Sequence, residues 1–340
     1  MPSGDCARRW PAATRAAGFA VLCSVGPAAA QTITSFDPAG SVATYAYAIN
    51  SAGVVTGTYS DSKHMDHGFL RQPRGGIARF SVFGATATIA NAINKNGIVA
   101  GRYSDAKNVS HGFLRTKNSS VTTFSERGSE GTIPAGIDIG GTIAGYYVDS
   151  SAVSHGFLRA SGGSMTSFDV PGGTNTWSTA INDSGTLCGS WTDANVPRGS
   201  HGFLRTAKGE IDLFDPSGSS NTYPYAIDAG GDIAGTYYFT SSTEAHGFVR
   251  TADGTITSFD PSGSIDTYAE SINVNGTIAG YYYDSGAIAH GFYRTADGTI
   301  STFDPTGSTA TFAYAINAKG DITGNWMDSN HQSHGFVLVP

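Results

Sequence analysis

The apolar stretches of the chain are short and come in a fixed order. In the first copy they are TYAYAIN (44–50), VVTGTYSD (54–61), HGFLR (67–71) and IARFSVF (77–83), divided by polar turns. β-Branched and aromatic residues dominate them, so each reads as a strand. Asn50 and Gly53 supply the first turn: Asn bonds nearby backbone and Gly accepts positive φ. The glycine turn before the fourth stretch becomes ADGT in later copies, a hairpin signal. His-Gly-Phe stands at 67–69, 111–113, 155–157, 201–203, 246–248, 290–292 and 334–336, with spacings of 44, 44, 46, 45, 44 and 44. A period near 45 with strand chemistry predicts a propeller blade of four strands.

The chain ends bear on topology. The last copy stops at HGFVLVP without a fourth stretch, and an orphan fourth stretch, TITSFDP (32–38), precedes the first copy. Pairing 32–37 with 334–339 completes the seventh blade from both chain ends and leaves few exposed edges. An open solenoid needs capping units, and the terminal copies show none. The expectation is an all-β, seven-bladed β-propeller over residues 31–340, as one domain.

Composition agrees with many tight turns: 45 Gly, 11% aromatic and only 14% charged residues among 340. Residues 1–30 read as a secretory signal. Arg8, Arg9 and Arg15 precede or flank the apolar run AAGFAVLC, and PAAA offers a cleavage site before Gln31. The expectation is an exported protein, periplasmic or extracellular, with no membrane span. Cleavage leaves 17 basic and 26 acidic side chains, a net charge near −9. Without a basic cluster, nucleic acid is a poor partner. Cys188 then stands alone, with no disulfide partner, at a position that holds Thr or Ala in every other copy.

Residues that recur in every copy read as structural. Gly57, Gly101, Gly145, Gly189, Gly235, Gly280 and Gly324 share one place in the second strand, which predicts close approach by a ring or backbone there. The Phe of each His-Gly-Phe is the candidate for packing between blades. Counting outward from the hairpin turn sets His246 opposite Asp260, His155 opposite Asp169, His201 opposite Asp215 and His290 opposite Asp304. Ring closure sets His334 opposite Asp37, and Ser81 and Ser125 serve His67 and His111. These seven histidines are read as structural ties with a fixed tautomer. A second carboxylate ends the second strand: Asp61, Asp105, Asp149, Asp193, Asp284 and Asp328. Such oxygen-rich loops are a setting for calcium, but their spacing matches no ligand loop, and Asp, Ser and Gly turn chains without metal. No cofactor is expected.

The phrases AINSAGVVTG, AINKNGIVAG, GIDIGGTIAG, AINDSGTLCG, AIDAGGDIAG, SINVNGTIAG and AINAKGDITG, each followed a loop later by His-Gly-Phe, resemble the HAF-repeat family of extracellular bacterial proteins. The resemblance covers nearly all of 31–340 and departs in Gly for Ala inside the triplet. It implies an exported, propeller-like repeat protein and no catalytic residues.

Function on a repeated scaffold is sought where copies differ. One place in the first strand holds Tyr47, Asn91, Ala135, Thr179, Tyr225, Glu270 and Tyr314. The large or charged members fall on blades five, six, seven and one, consecutive in a closed ring. His64 and His331, the histidines outside the triplets, lie in loops of blades one and seven. Tyr, Glu and His of this arc would read a sugar by stacking and hydrogen bonds. They would equally supply acid and base for polysaccharide cleavage. Ordinary packing between blades is the alternative for the arc, and solvated loops for the two histidines. Trp177, Trp191 and Trp326 are further exposed aromatic candidates. No nucleophile elbow, phosphate loop, zinc motif or dinucleotide fingerprint is present. The leading expectation is a secreted module binding carbohydrate or a cell-surface polymer. A polysaccharide lyase or glycoside hydrolase, and a purely structural envelope protein, stand beside it.

Overall fold

The computed structural model describes residues 31–194 and 199–340. The expected signal segment, 1–30, lies outside the described residues. Among these residues there are 28 strands and no helix. In chain order, β1 is Thr32–Phe36, and β2–β5 are Ser41–Ile49, Val55–Asp61, Asp66–Arg71 and Ile77–Phe80. β6–β9 are Ala87–Ile93, Val99–Ser104, Ser110–Arg115 and Val121–Phe124, and β10–β13 are Gly131–Ile137, Ile143–Val148, Ser154–Arg159 and Met165–Phe168. β14–β17 are Gly173–Ile181, Leu187–Asp193, Ser200–Arg205 and Ile211–Phe214, and β18–β21 are Ser219–Ile227, Ile233–Phe239, Ala245–Arg250 and Ile256–Phe259. β22–β25 are Ser264–Ile272, Ile278–Asp284, Ala289–Arg294 and Ile300–Phe303, and β26–β28 are Ala310–Ile316, Ile322–Met327 and Ser333–Val339.

Each group of four pairs antiparallel in chain order, and β1 supplies the fourth strand of the last group, in the order β26-β27-β28-β1. Its register runs from Thr32↔Val339 to Phe36↔Gly335. No sheet closes on itself. Single parallel bridges, Asp66↔Ala87 and Ser110↔Gly131, join the first three groups. Two boundaries differ from the sequence reading by more than one residue. The first strand begins earlier, at Ser41, because Ser41 pairs with Asp61. The fourth ends at Phe80 rather than 83. Ser81 Oγ turns to His67, and the Val82 amide donates to Thr88 Oγ1 in the next unit.

Packing between units repeats as the strands do. Phe69 and its six equivalents are fully buried. Each meets the fourth-strand Phe of the preceding unit edge-on: Phe80 with Phe113 at 6.0 Å between centroids, Phe259 with Phe292 at 6.1 Å. The series includes Phe36 with Phe69, at 5.7 Å. Six arginines lie over those fourth-strand rings, for example Arg71 at 4.9 Å from Phe36 and Arg159 at 4.7 Å from Phe124. A buried Phe contributes roughly 1.5–3 kcal/mol by removal from water. Repeated at each boundary, this term outweighs any single polar contact.

The glycine of each His-Gly-Phe is needed locally. A Cβ on Gly68 would enter the Phe80 ring, and one on Gly291 the Phe303 ring. At the turn after five of the first strands an Asn side chain reaches the next unit. Asn50 Nδ2 donates to Asn94 O (3.1 Å), Asn94 to Asp138 O (2.9 Å), Asn182 to Asp228 O (2.9 Å) and Asn273 to Asn317 O (3.0 Å). Asn317 then donates to Asn50 O at 3.2 Å. Asp138 and Asp228 carry no amide donor, so the relay lacks a step after each.

Candidate functional site

The first strand of every unit carries a β-bulge at one place. Ala46 pairs with Gly57 and Ala48 with Thr56, which leaves Tyr47 unopposed. The same slip leaves Asn91, Ala135, Thr179, Tyr225, Glu270 and Tyr314 unopposed. The strongly varying position singled out in the first strand is therefore the bulged residue, which a bulge re-aims out of the ladder. The repeated second-strand glycine is part of the same device. The bulge turns the carbonyl of residue 45 towards Gly57, and a Cβ there would collide with it; the other six glycines face the equivalent carbonyl. The expectation of close backbone approach thus has a specific cause.

Around the bulges of β2, β18, β22 and β26 the rings form a continuous track. Tyr45 stacks on Tyr47 at 6.3 Å, Tyr47 meets Tyr314 at 5.9 Å, and Tyr314 meets Tyr281 at 6.2 Å. Tyr281 stacks on Tyr268 at 4.8 Å, and the Tyr268 hydroxyl is 3.4 Å from that of Tyr238. Tyr238 meets Tyr223 at 6.1 Å, and both line, with Asn221 and Tyr225, a pocket of about 360 Å³. Tyr45, Tyr47, Tyr225, Tyr268, Tyr281 and Tyr314 are all partly exposed.

Glu270 sits within this track. Desolvation pushes its carboxyl up to about 7. Its charge in turn raises the phenols of Tyr225, Tyr281 and Tyr314, each already raised more strongly by burial. Burial also lifts the Tyr47 phenol, to about 12. Among the described residues no hydrogen bond reaches the Glu270 carboxylate. The result is a carboxyl that titrates near neutrality among neutral phenols, able to accept or donate a proton.

Of the residues singled out from the sequence, the structure brings Tyr47, Tyr225, Glu270 and Tyr314 to this track. His64 and His331 lie elsewhere. Both are exposed loop tips in the left-handed region, φ 59° and 62°, at a turn that Asn108, Ala152 and Ala287 occupy in other units. His64 follows Asp61, which pairs with Ser41, six residues before Tyr47. Six strand residues are ~20 Å. The sequence reading missed Tyr45, Tyr223, Tyr238, Tyr268 and Tyr281. The signal was available: the place of Tyr45 holds Ile89 and Ile133 in the units of β6 and β10, and aromatic residues in the others.

The triplet histidines stand in their hairpins as the count placed them. Nδ1 is 2.8 Å from Ser81 at His67, 2.8 Å from Ser125 at His111, 2.9 Å from Asp169 at His155 and 2.7 Å from Asp215 at His201. The distances are 2.8 Å to Asp260 at His246, 2.7 Å to Asp304 at His290 and 2.7 Å to Asp37 at His334. A second-strand ring covers each, as Tyr59 covers His67 at 5.1 Å. One of the exposed tryptophan candidates, Trp191, is buried, whereas Trp326 and Trp177 are partly exposed. Trp191 is 7% exposed and packs on His201, and Trp326 packs on His334 with its indole N–H donating to Ser35. They fill the place of Tyr59, a packing role.

Five of the six second-strand aspartates are spent on their own loops. Asp61 Oδ1 accepts the amides of Lys63 and Met65, and Oδ2 faces His67 Nε2 at 3.2 Å. Asp105, Asp149, Asp284 and Asp328 repeat the capping pair. No group of three or more His, Cys, Asp or Glu among the described residues is arranged to hold a metal ion. Cys188 is fully buried, and desolvation pushes its thiol up to about 12. No helix among the described residues is long and apolar enough to cross a membrane.

Compared by sequence, the chain matches no family profile and no curated protein. Compared by structure, it is similar to a prolyl endopeptidase (TM-score 0.60, 12% identity, 88% of this chain and 51% of that one). It is similar to the β-propeller domain of Cps50 (Swd1) from Myceliophteria thermophila (TM-score 0.54, 8% identity, 91% of this chain and all of that one). A puromycin hydrolase variant matches at TM-score 0.54 and 11% identity, over 85% of this chain and 50% of that one. The chain thus spans about half the length of the two enzymes. At such identities the likeness is one of fold, and the fold, antiparallel four-stranded sheets without helix, is that of a β-propeller.

Proposed function

We propose that residues 31–340 form a closed ring of seven four-stranded blades, exported by residues 1–30, and act as a binding module of the HAF-repeat kind for a carbohydrate or cell-surface polymer. Closure is supported by β1 completing the last sheet, by the Asn317–Asn50 bond and by the Phe36–Phe69 contact. The binding reading rests on one observation: a track of partly exposed tyrosines, confined to four consecutive units, built around the bulged positions. Tyrosine rings offer flat apolar faces to sugar C–H groups and hydroxyls to sugar oxygens. Buried structural rings elsewhere in the chain repeat from unit to unit; these do not.

The test is retention of residues 31–340 on a panel of immobilised polysaccharides, beside Tyr314→Ala and Tyr281→Ala. Retention lost at least tenfold in both variants, with unchanged thermal melting, supports the reading. No retention of the wild type on any polymer overturns it. A second reading, cleavage of the polymer, is favoured by the Glu270 carboxyl near 7 beside tyrosine hydroxyls. Polymer length measured in the same experiment decides it: shortening that Glu270→Gln abolishes assigns the chemistry to Glu270.

A further inference from the structure

The tyrosine track does not end at Tyr47. Its neighbour across the unit boundary is Arg102 on β7, whose charge reaches the Tyr47 phenol. Arg102 pairs with Ile89, two residues before the bulged Asn91. It occupies the place held by Thr58, Tyr146, Ser190, Thr236, Tyr281 and Asn325 in the other units, and is the one cation in that series. In its own unit Tyr281 shows where that place points: towards the next unit's bulged residue, Tyr314. For Arg102 the next bulged residue is Ala135, the smallest of the set, and the bulged residue of the preceding unit is Tyr47, as Tyr225 is for Tyr281.

Arg102 is also unspent. Arg71, Arg115, Arg159, Arg205, Arg250 and Arg294 lie over phenylalanine rings. Arg102 is partly buried, and among the described residues its guanidinium makes no hydrogen bond, ion pair or ring contact. Asp66, the carboxylate that also acts on Tyr47, accepts instead from Ser60 Oγ at 2.6 Å. Asn91 Nδ2 donates to Pro134 O, at 2.7 Å. A guanidinium presents five donors in a fixed fork and loses free energy when partly buried without acceptors. The fork matches a planar or tetrahedral oxyanion.

We infer that the tyrosine track takes an acidic polysaccharide, with Arg102 binding the anionic group of a sugar at the Tyr47 end. This rests on the polymer-binding reading above. The track is then electrically polar, with Arg102 at one end and Glu270 three units away, so a chain of acidic sugars binds in one direction. Carboxylate and sulfate ester share the required chemistry, and the experiment separates them.

The test measures binding of polygalacturonate, dextran sulfate and unmodified dextran to residues 31–340 and to its Arg102→Gln and Arg102→Lys variants, by titration calorimetry at two salt concentrations. The expected result is wild-type preference for one anionic polymer over dextran, weakened at least tenfold in Arg102→Gln and less in Arg102→Lys, with dextran binding unchanged. Selective loss for polygalacturonate identifies a carboxylate, and for dextran sulfate a sulfate. Dextran bound as well as either anionic polymer, or anionic binding indifferent to Arg102, overturns this inference and leaves the binding reading standing. No binding of any polymer overturns both. Circular dichroism melts of the variants separate misfolding from lost contact, and Arg102→Lys keeps the test valid should the Gln variant unfold.

Discussion

Gly280 lies directly beneath the carbonyl oxygen of Tyr268, so close that a Cβ would collide with it. Tyr268 immediately precedes the bulged pair Ala269–Glu270, whose register slip turns that carbonyl inward. A glycine on one strand thus permits the bulge on its neighbour, and the bulge aims the Glu270 carboxylate into the tyrosine track.

Gly280→Ala is expected to flatten or displace the bulge. Overpacking of this kind costs about 1–3 kcal/mol, and this site contacts backbone, which yields little. Urea denaturation should place Gly280→Ala at or above the top of that range. Near-ultraviolet circular dichroism should show the Tyr268–Tyr281 stack disturbed. An unchanged midpoint would mean that the carbonyl can turn away.

Glu270→Gln should stabilise the protein in alkaline solution. The folded-state carboxyl lies near 7 against an ordinary 4.5, with burial as the cause. A raised carboxyl favours the protonated form in the fold, so its ionisation costs stability as pH rises from 4.5 through 7 and leaves none of that cost below 4.5. Discounted for partial exposure, the gain is about 1–2 kcal/mol at pH 8, falling to nothing at pH 4. Denaturation midpoints of both proteins at the two pH values measure it.

The loop aspartates and His290 shape the rest of the pH profile. The amides of Met65, Val109, Val153, Ile288 and Gln332 hold Asp61, Asp105, Asp149, Asp284 and Asp328 below the usual carboxylate range. Their contribution is present above 3.8 and lost as pH falls through the lowered values. For His290, burial opposes the charge, but Asp304 and Asp284 together raise the ring above 6.5. Its contribution is complete below 6.5 and lost as pH rises through the folded value. His290→Gln should therefore cost most near pH 6 and progressively less towards pH 9, as seen in urea midpoints across that window.

Phe36→Ala tests the closing strand. Phe36 is 9% exposed, packs edge-on against Phe69 and lies under Arg71. Removing a buried ring costs about 3–5 kcal/mol. Deleting residues 31–37 should cost more, since it also strands the Gly335–Val339 backbone. A Phe36→Ala protein as stable as the wild type would argue against closure through β1.

Cys188 should resist thiol reagents in the native protein. It is fully buried, burial raises the thiol to about 12, and only thiolate reacts at a useful rate. Ellman's reagent should modify it only on unfolding.

What the sequence by itself determined was local and periodic. The histidine partners lie fourteen residues along one hairpin, and a tight turn sets the register between adjacent strands. That is why His246 with Asp260 and His290 with Asp304 were legible by counting. The pairing of 32–37 with 334–339 was legible as well, because an incomplete last copy and an orphan first strand have one mutual solution. The variable place in the first strand was legible as a difference between copies. Tertiary structure alone decided what that difference means. The bulge that unpairs Tyr47 and Glu270 depends on a carbonyl meeting a glycine of another strand, which no spacing reveals. Glu270 is desolvated in the fold and acts on Tyr225, Tyr281 and Tyr314, which three units bring together. Trp191 and Trp326 prove to be packing on histidines, while Arg102 is left without a partner. Each of these depends on packing across unit boundaries or between strands of unequal register, where position follows from the packing of units against one another rather than from the order of residues in one repeat.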